Sequence, residues 1–598
     1  MPRIDRRTAA KAIGVACAGT WLGPVSMQSQ QPAPEDADAK PPALQQAASV
    51  RIATNQCGYR PGAVKVASVV FPVGTPAPVA DGTDAFTVEA AATGEVVLRG
   101  LLGAARMDAA SGDHVALADF SAVRTPGMYR LRVGAAAGDP VVVAEMVYAD
   151  ALRLAMRAFY GQRCGCKVDL GDGYQHKACH KRGEFHPTSG RHGKLKNSGG
   201  WHDAGDYGRY VVNSGISTAT LLWAWEMFPE VLHRLQLQIP ESGGPVPDFL
   251  VEVRWNLRWM LSMQDEADGG VWHKQTSDAF CGFVMPEQDK LPSEVIGTGS
   301  VPYKSTCATA DFAAVMAIAA RCYRAVDARF AEACLAAARK AFAWARANPE
   351  VVFRNPPEIT TGEYGDQTCA DELLWAAAEL FRTTAEPEFR GAFETGLPGE
   401  LTVTTPSWNN MLPFALWTYA MAGPTVTPAV RDRIAAATKL AAQQRTRRSR
   451  ENGYGNTLSA PDYIRGSNSV AANDALLLLV ADRFETDAAF RAAALANLHY
   501  LLGRNCFGVS WVTHVGSRPF QHPHHRPSQA DKVAAPWPGL LSGGPNAHGG
   551  DPVANGMGKL PPMRMWVDDW QAYSMNEVAI NWNAPLVFLL AAANANLT

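Results

Sequence analysis

The sequence changes its pattern near residue 148, and this change constrains the fold more than any other feature of the chain. Before it, short β-branched segments alternate with Gly, Pro and Asp over residues 49–147, which is typical of an all-β sandwich. After it, alanine-rich segments with apolar residues at three-to-four spacing predict helices. We therefore expect a multidomain protein, with an all-β sandwich at 49–147 and an all-α domain at 148–598.

The two patterns predict individual elements. The predicted strands are 50–54, 65–70, 86–88, 95–98, 114–117, 128–133 and 140–143. The predicted helices are 148–161, 211–228, 247–263, 306–325, 329–347, 368–382, 408–421, 427–445, 468–483, 487–503 and 576–595. Helices with loops as long as 164–208, 264–304 and 504–575 indicate a helical barrel with a cleft at one end, because such loops are usually functional. Periodicity alone leaves a helical solenoid open as well.

Composition excludes some classes of partner. The 598 residues are 47% hydrophobic and carry a net charge of -2, enough for a large core in more than one domain. The near-neutral charge argues against a nucleic-acid partner. No apolar run after the N-terminus is long enough to span a membrane, and we expect a monomer.

The N-terminus resembles a targeting segment. Arg6-Arg7 and Lys11 precede a mild apolar run from Ala12 to Leu22, an order typical of a twin-arginine export signal. We assign the signal to 1–27 and a linker to 28–48, and expect a periplasmic or extracellular protein. A lipoprotein cysteine at Cys17 and an uncleaved tail are the alternatives.

The stretch Gly199–Gly208 is the first candidate for chemistry. It places Asp203 and Asp206 three residues apart among glycines and between the aromatic residues Trp201 and Tyr207. Two neighbouring aspartates can hold and deprotonate a water, and aromatic faces suit sugar rings. Two interpretations explain the stretch equally well. It is either the base site of a carbohydrate hydrolase or an acidic turn before a helix.

Two further stretches carry candidate residues. Glu577 is predicted to begin an otherwise apolar helix. A buried carboxylate there would favour its protonated form, as a general acid requires, although a glutamate that stabilises a helix N-terminus is the simpler explanation. The loop from Ser510 to Ser528 contains His524 and Arg526, which are donors for sugar hydroxyls or members of a surface histidine cluster.

Taken together, these stretches resemble glycoside hydrolase family 9. The matching residues are Trp566, Asp568, Tyr573, Glu577, Ala579, Asn583 and Ala584, then Ser510, Val512, Thr513, Gly516, Arg518, Pro523, His524 and Arg526, and then Asp203 to Asp206. Three multi-residue patterns at separate places make a strong match, which covers about residues 150–595. Residues 55–61 and 119–129 resemble the immunoglobulin-like domain that precedes some cellulase catalytic domains.

The resemblance implies an (α/α)6 barrel that hydrolyses β-1,4-glucosidic bonds with inversion. Asp206 would be the general base, Asp203 would help to hold the water, and Glu577 would be the general acid. An inverting pair stands roughly 6.5–9.5 Å apart. The substrate-binding candidates are His524, Arg526, Tyr573, Trp201 and Tyr207.

Two metal sites are expected. Cys164, Cys179, His180 and His202 form a Cys2His2 set that favours a closed structural zinc site, and the resemblance agrees. Cys166, His176 and His186 compete as ligands in the same loop, and free thiols are the alternative. The calcium candidates are Asp366, Asp371 and Glu372, which offer oxygen ligands, although an acid pair at a helix N-terminus also explains Asp371 and Glu372. Cys307, Cys322 and Cys334 lie in helical patterns and are expected to be core residues.

One position departs from the family pattern, because Arg465 stands where the family usually shows Trp. The lost aromatic residue could change a packing contact or a sugar platform. The first functional hypothesis is a secreted endo-β-1,4-glucanase acting on cellulose or a related β-glucan. An exo-acting enzyme on cello-oligosaccharides or glucosamine oligosaccharides is the alternative, since the 264–304 loop could close one end of the cleft. A non-catalytic sugar-binding protein is disfavoured by the intact Asp203, Asp206 and Glu577.

Overall fold

A computed structural model describes residues 49–72, 85–181, 183–195 and 198–595. The predicted export signal and linker lie outside the described residues. The N-terminal strands are β1 Arg51–Ala53, β2 Val66–Phe71, β3 Ala85–Ala90, β4 Val96–Leu101, β5 Arg106–Asp108, β6 Asp113–Asp119, β7 Gly127–Val133, β8 Ala136–Ala137 and β9 Val141–Val143.

These strands form two antiparallel sheets. One has the order β1-β2-β6-β5, and the other has the order β4-β3-β7, with β8 and β9 both paired to β7. A single hydrophobic cluster joins Val69 and Ala116 of the first sheet to Phe86, Val88 and Leu131 of the second. The predicted sandwich is confirmed, because alternate residues of both sheets face one shared core.

The chain after β9 is mainly helical. The main helices are α1 Ala149–Gly161, α2 Val211–Met227, α3 Pro229–Leu232, α4 Asp248–Ser262, α5 Thr306–Tyr323, α6 Ala328–Ala347, α7 Ala370–Thr384, α8 Pro387–Gly396, α9 Leu412–Ala420, α10 Pro428–Glu451, α11 Ser467–Phe484 and α12 Ala488–Leu501. They are followed by α13 Arg526–Ala530, α14 Pro552–Gly556, α15 Tyr573–Asn576 and α16 Ile580–Asn594. The predicted long helices are confirmed, with ends shifted by a few residues.

The long helices form two concentric rings. The inner helices α2, α5, α7, α11 and α16 are buried on nearly all sides, as expected for helices that are apolar all round. The outer helices α6 and α10 bury one face only. The last helix, α16, packs against α2 as well as α11, so the ring closes. A solenoid would leave its ends apart, and the fold is the (α/α)6 barrel.

Short strands organise two of the long loops. β12 Gly183–Phe185, β13 Arg209–Tyr210, β14 Lys274–Thr276 and β15 Ser293–Ile296 form a sheet in the order β12-β15-β14-β13, beside the hairpin β10 Val168–Asp169 and β11 Gln175–His176. All of these strands except β13 lie in segments predicted only as loops, because strands of two to four residues are too short for a period-two pattern. Among the described helices, none combines the length and apolar character needed to cross a bilayer.

Candidate active site

The stretch 199–208 forms a loop that leads through β13 into α2. The Asp203 amide donates to the Gly208 carbonyl at 2.9 Å and closes the turn that holds both aspartates. A Cβ at Gly205 would overlap the carbonyl oxygen of His524. Glycine therefore lets this base loop touch a loop more than three hundred residues away in sequence.

Asp203 is held by both of its carboxylate oxygens. Oδ1 accepts a hydrogen bond from Asn213 Nδ2 at 2.7 Å, and Oδ2 accepts one from the Tyr364 hydroxyl at 2.7 Å. The residue is 2% exposed. Burial and the neighbouring Asp206 carboxylate raise the pKa of Asp203 well above its ordinary value. A carboxylate fixed in this way suits the orientation of a water.

Among the described residues, no other residue donates a hydrogen bond to Oδ1 of Asp206. Both hydrogen bonds from other residues go to Oδ2, from the Gly208 amide at 3.0 Å and from the Tyr210 hydroxyl at 3.5 Å. Burial raises the pKa of Asp206, Glu577 raises it further, and Arg526 partly offsets both effects. A carboxylate with a raised pKa and a free Oδ1 can accept a proton from a water.

Glu577 lies in an extended segment and not at the start of a helix. Its φ of -62° and ψ of 155° are extended values, and α16 begins only at Ile580, so that part of the prediction is wrong. The Ile580 amide donates to the Asp203 carbonyl at 2.9 Å, and the His524 amide donates to the carbonyl that precedes Glu577 at 2.9 Å. Backbone hydrogen bonds therefore join three segments. The first carries Asp203 and Asp206, the second carries His524, and the third carries Glu577.

Arg465 forms an ion pair with the Glu577 carboxylate. Its guanidinium carbon also lies 5.7 Å from the centroid of the Tyr573 ring. The Arg465 side chain is 35% exposed, and the Glu577 side chain is 11% exposed. The predicted general acid thus has a cation as its direct neighbour.

His524 and Arg526 differ in what they offer a sugar. Burial lowers the pKa of His524, and Nδ1 must carry the ring proton because it meets the Trp570 carbonyl at 2.8 Å. The Nε2 atom of the neutral ring is then a hydrogen-bond acceptor. Arg526 is buried, and its guanidinium donates to the carbonyls of Gly205 and Cys281. It joins two loops, and its role as a sugar ligand stays a prediction.

The three aromatic residues predicted to contact the sugar differ in their burial and in their hydrogen-bond partners. Trp201 is 0% exposed, and its indole donates to Glu252 at 2.9 Å, so the predicted sugar platform there is wrong. Tyr207 is buried, donates to the Val284 carbonyl, and packs against the His202 ring at 4.8 Å. Tyr573 donates to the Gly550 carbonyl at 2.7 Å beside Arg465. Substrate contacts by Tyr207 and Tyr573 stay predictions.

A candidate metal centre adjoins the base loop. One ligand atom from each of Cys164, Cys179, His180 and His202 lies within 4.8 Å of the others. The two sulfurs are 3.8 Å apart, and the Cys179 sulfur is 3.6 Å from His202 Nε2. His180 Nε2 meets Asp289 at 3.2 Å, whereas its buried Nδ1 lacks a partner among the described residues. A metal ion would satisfy that nitrogen.

The two thiols of this cluster ionise unequally. Burial raises the pKa of Cys164, but the hydrogen bond from Cys179 and the charge of Arg209 outweigh it, so the pKa falls well below its ordinary value. The Cys164 sulfur in turn raises the pKa of Cys179 well above its ordinary value. The cluster therefore favours one thiolate, which is the metal-binding form of cysteine.

The competing ligands lie outside this cluster of described residues. His176 Nδ1 meets the Lys177 carbonyl at 2.7 Å, and His186 Nδ1 meets the Thr188 hydroxyl at 2.8 Å. Burial raises the pKa of Cys166 to about 12, which keeps it a thiol near pH 7.

A second acidic region lies between α5 and the start of α7. Both oxygens of Asp311, both of Glu372 and Oδ2 of Asp366 are buried without a hydrogen-bond partner among the described residues. Asp371 Oδ2 accepts from the Met411 amide at 2.7 Å. Burial and repulsion by the neighbouring Asp371 carboxylate raise the pKa of Asp311, Asp366 and Glu372. Of the predicted calcium ligands, only Glu372 belongs to a close group of ligand atoms, with Cys307 and Cys369.

Cys307 and Cys369 are joined by a disulfide. Cys307, Cys322 and Cys334 are buried core residues as expected, but the pairing of Cys307 with Cys369 was not predicted. The helical pattern identified Cys307 as buried but could not show which residue faces it.

Three residues of these sites were not predicted from the sequence. Asn213 and Tyr364 hold Asp203, and Asp311 belongs to the acidic region. Two of them carried a usable signal. Asp311 is a lone carboxylate on the apolar helix α5, and Asn213 is a polar residue in the apolar start of α2. Buried polar groups in such positions need partners. Tyr364 lies in the loop that was considered only for oxygen ligands.

Comparisons with known proteins identify the family of this chain. Residues 148–590 match the model of glycosyl hydrolase family 9, and residues 46–137 match the cellulase N-terminal ig-like domain. The chain is 36% identical over 486 residues to Endoglucanase D of Acetivibrio thermocellus, which covers 80% of this chain and 74% of that protein. It is 33% identical over 576 residues to the xyloglucan-specific endo-beta-1,4-glucanase BoGH9A of Bacteroides ovatus, covering 91% of this chain and 94% of that protein.

A solved structure matches over nearly the same length. The Zn-binding triple mutant of the family 9 endoglucanase J30 has a TM-score of 0.83 and 34% identity, covering 90% of this chain and 100% of that chain. The family match extends over more than half of the sequence and includes all three candidate carboxylates. This chain therefore belongs to glycosyl hydrolase family 9.

Proposed function

We propose that this glycoside hydrolase is an inverting endo-β-1,4-glucanase. The observation that carries the proposal is the meeting of Asp203, Asp206 and Glu577 through hydrogen bonds between their backbone segments. The names of relatives support it, since they include Endoglucanase D and a xyloglucan-specific endo-β-1,4-glucanase.

The proposed reaction is a single displacement at the anomeric carbon. Asp206 removes a proton from a water through its free Oδ1 while the water oxygen attacks that carbon. Asp203, fixed by Asn213 and Tyr364, accepts a hydrogen bond from the other O–H of the water and orients it, and that hydrogen stays on the oxygen that becomes the anomeric hydroxyl. The bond to the leaving sugar breaks, and Glu577 donates its proton to the departing oxygen. The carboxyl groups of the base and acid should stand roughly 6.5–9.5 Å apart in a substrate complex.

The second candidate is an exo-acting enzyme on cello-oligosaccharides or glucosamine oligosaccharides. Two relatives bear the names cellodextrinase and cellulose 1,4-beta-cellobiosidase. The segment 277–292 favours it, because Arg526 binds the Cys281 carbonyl and Tyr207 binds the Val284 carbonyl, which fastens the segment beside Asp206. Such a segment would shorten the cleft.

Product analysis by size and anomer separates these candidates. Purified enzyme and its Glu577→Gln variant would be incubated with cello-oligosaccharides, carboxymethylcellulose and chitosan oligosaccharides. A spread of product lengths with inverted anomers supports the endoglucanase, and monomer or dimer alone supports the exo-acting enzyme. Retained anomers, or equal turnover by the variant, would refute the assigned roles.

The metal centre is proposed to hold zinc. Two sulfur and two nitrogen ligands suit zinc, and four protein ligands make a closed structural site. A bound zinc would supply a fixed tetrahedral crosslink to the loop that contains His202, next to Asp203. The Zn-binding relative supports the assignment.

A calcium ion is proposed for the acidic region, with Asp311 added to Asp366, Asp371 and Glu372. The unpaired buried oxygens are ligands of the type that hard cations take. Calorimetry with and without a chelator should show a calcium-dependent rise in Tm that Asp311→Asn abolishes.

We also propose export through the N-terminal signal, which cell fractionation with Arg6→Lys and Arg7→Lys would test.

A further inference from the structure

The contact between Arg465 and Glu577 conflicts with the role of a general acid. A general acid must carry its proton when the glycosidic bond breaks, whereas an adjacent guanidinium stabilises the ionised carboxylate. In the structure, Arg465 thus holds the carboxylate that the mechanism assigns as the acid. An anionic group that took the place of Glu577 on Arg465 would free that carboxylate.

Several ionisable groups face Glu577, and Arg465 is the cation in direct contact with it. The groups that interact with Glu577 are Asp203, Asp206, Tyr364, Arg465 and His524. The other nearby cations, Arg526 and Lys274, act on Asp206. Arg465 is thus placed to act on the acid, beside the oxygen that the acid protonates.

The backbone at Arg465 is firmly held. Gly466 has a φ of +87°, and a Cβ there would lie 2.8 Å from the indole nitrogen of Trp582. The Ser467 amide donates to the Ile464 carbonyl at 2.9 Å. The backbone beside Arg465 is therefore closely packed, so a change of partner would involve its side chain.

Arg465 also has hydrogen-bonding capacity to spare. A guanidinium has five N–H donors, and among the described residues the hydrogen bonds of Arg465 go only to Glu577. About a third of the side chain is exposed, since its relative accessibility is 35%. An arginine fork binds a carboxylate through two parallel hydrogen bonds, so the spare donors suit an anionic ligand.

We propose that Arg465 is a specificity-determining residue that binds a carboxylate of the substrate, of the uronic acid type, on the leaving-group side of the scissile bond. This carboxylate replaces Glu577 as the partner of the guanidinium. Glu577 then takes up a proton without leaving Arg465 unpaired. The inference rests on the proposed function, because it requires Glu577 to be the acid.

The test compares matched substrates in matched variants. Cello-oligosaccharides would be compared with oligosaccharides of the same length whose sugars toward the reducing end carry a C6 carboxylate. The wild-type enzyme, Arg465→Gln and Arg465→Lys would be assayed for kcat/KM on both, and Glu577→Gln on both. Circular dichroism would check that each variant is folded.

We expect the wild type to cleave the carboxylated substrate about ten-fold or more faster than the neutral one, as the usual strength of a charge-assisted hydrogen bond implies. Arg465→Gln should bring this ratio to about one, and Arg465→Lys should give an intermediate ratio because it keeps the charge without the fork.

A wild-type ratio of one or below, or an unchanged ratio in Arg465→Gln, overturns the inference and leaves the proposed function intact. A shift of the pH profile in Arg465→Gln with an unchanged ratio overturns it too. Failure of the wild type to cleave either substrate refutes the proposed function itself.

Discussion

At the scale of single residues, the three candidate carboxylates differ in their partners. Asp203 has both oxygens engaged by Asn213 and Tyr364, and Asp206 receives its hydrogen bonds from other residues on Oδ2 alone. Glu577 contacts Arg465. Asp203 is thus fixed, Asp206 keeps an oxygen for water, and Glu577 has as its partner an arginine side chain that can move. These differences match the proposed division of roles better than residue type alone could.

Removal of the proposed acid should abolish catalysis without unfolding the protein. General acid catalysis contributes about 10²–10⁴-fold to rate, so Glu577→Gln should lower kcat on cello-oligosaccharides by that order. Asp569→Asn serves as a matched control, because within the described part of the chain its carboxylate accepts only from the nearby Gln571 amide. Near wild-type turnover by Glu577→Gln would remove Glu577 from the mechanism.

The Tyr364 hydroxyl should matter for turnover more than for binding. Tyr364→Phe removes the hydrogen bond to Asp203 Oδ2, and loss of a bond to a charged group costs about 1.5–3 kcal/mol. We expect kcat to fall by roughly 10- to 100-fold with little change in KM. The control is Tyr419→Phe, which removes a hydrogen bond from a tyrosine hydroxyl to another carboxylate, that of Glu394. Neither residue belongs to the candidate site. Equal kcat values for the two variants would argue against a positioning role for Tyr364.

At the scale of elements, the base loop is braced from two sides. His202 belongs to the candidate metal cluster, and Asp203, the next residue, is bonded to the segments of Asn213, Tyr364 and Ile580. Because adjacent side chains have different anchors, the backbone between them has little freedom. This arrangement explains how a glycine-rich loop can present a carboxylate in a fixed position.

A side chain at Gly205 should separate the two loops of the site. The Cβ of Gly205→Ala would overlap the His524 carbonyl oxygen, and a clash with backbone must displace one loop. We expect activity to fall more than 100-fold, since a displacement of about 1 Å at a site can cost that much. The control is Gly399→Ala, where a Cβ meets nothing within 4 Å. Wild-type kcat in Gly205→Ala would show that the close approach is not required.

Metal content should depend on the four residues of the cluster and not on Cys166, which lies outside it. Wild-type protein should carry about one equivalent of zinc by elemental analysis, and Cys179→Ala should lose it, because a structural site needs all four ligands. Tm should fall with the metal. Cys166→Ala, in the same loop but outside the cluster, should keep both metal and Tm. Zinc retained in Cys179→Ala, or lost in Cys166→Ala, would require a different ligand set.

At the scale of the whole molecule, the sandwich and the barrel share polar contacts, one of which is buried. Asp113 of the sandwich pairs with Arg564 and accepts from the Tyr454 hydroxyl. Gln56 donates to the Gly508 carbonyl and accepts from the Arg518 amide, both at 2.8 Å. The second contact reaches the loop that continues to His524, so the sandwich supports the chain next to the site.

Loss of the buried contact should destabilise the protein. Asp113→Ala leaves Arg564 as a buried unpaired charge, which typically costs about 3–5 kcal/mol in the free energy of unfolding. Asp139→Ala breaks an exposed pair with Arg518 between the same domains and should cost less than about 1 kcal/mol. Denaturant titration of both variants checks this difference. Equal losses would mean that burial of the ion pair is not what matters.

The sequence by itself determined the order of the two domains, nearly all of the long helices and the three candidate carboxylates. These follow from local information, since helix and strand periods and motif spacings are read within a few turns of chain. Only the tertiary structure decided that Trp201 is buried, that Cys307 pairs with Cys369, that the Asp311 carboxylate lies close enough to repel Glu372, and that Arg465 contacts Glu577. Each of these depends on which faces of distant segments pack together, and a local period shows that a residue is buried without showing what lies opposite it.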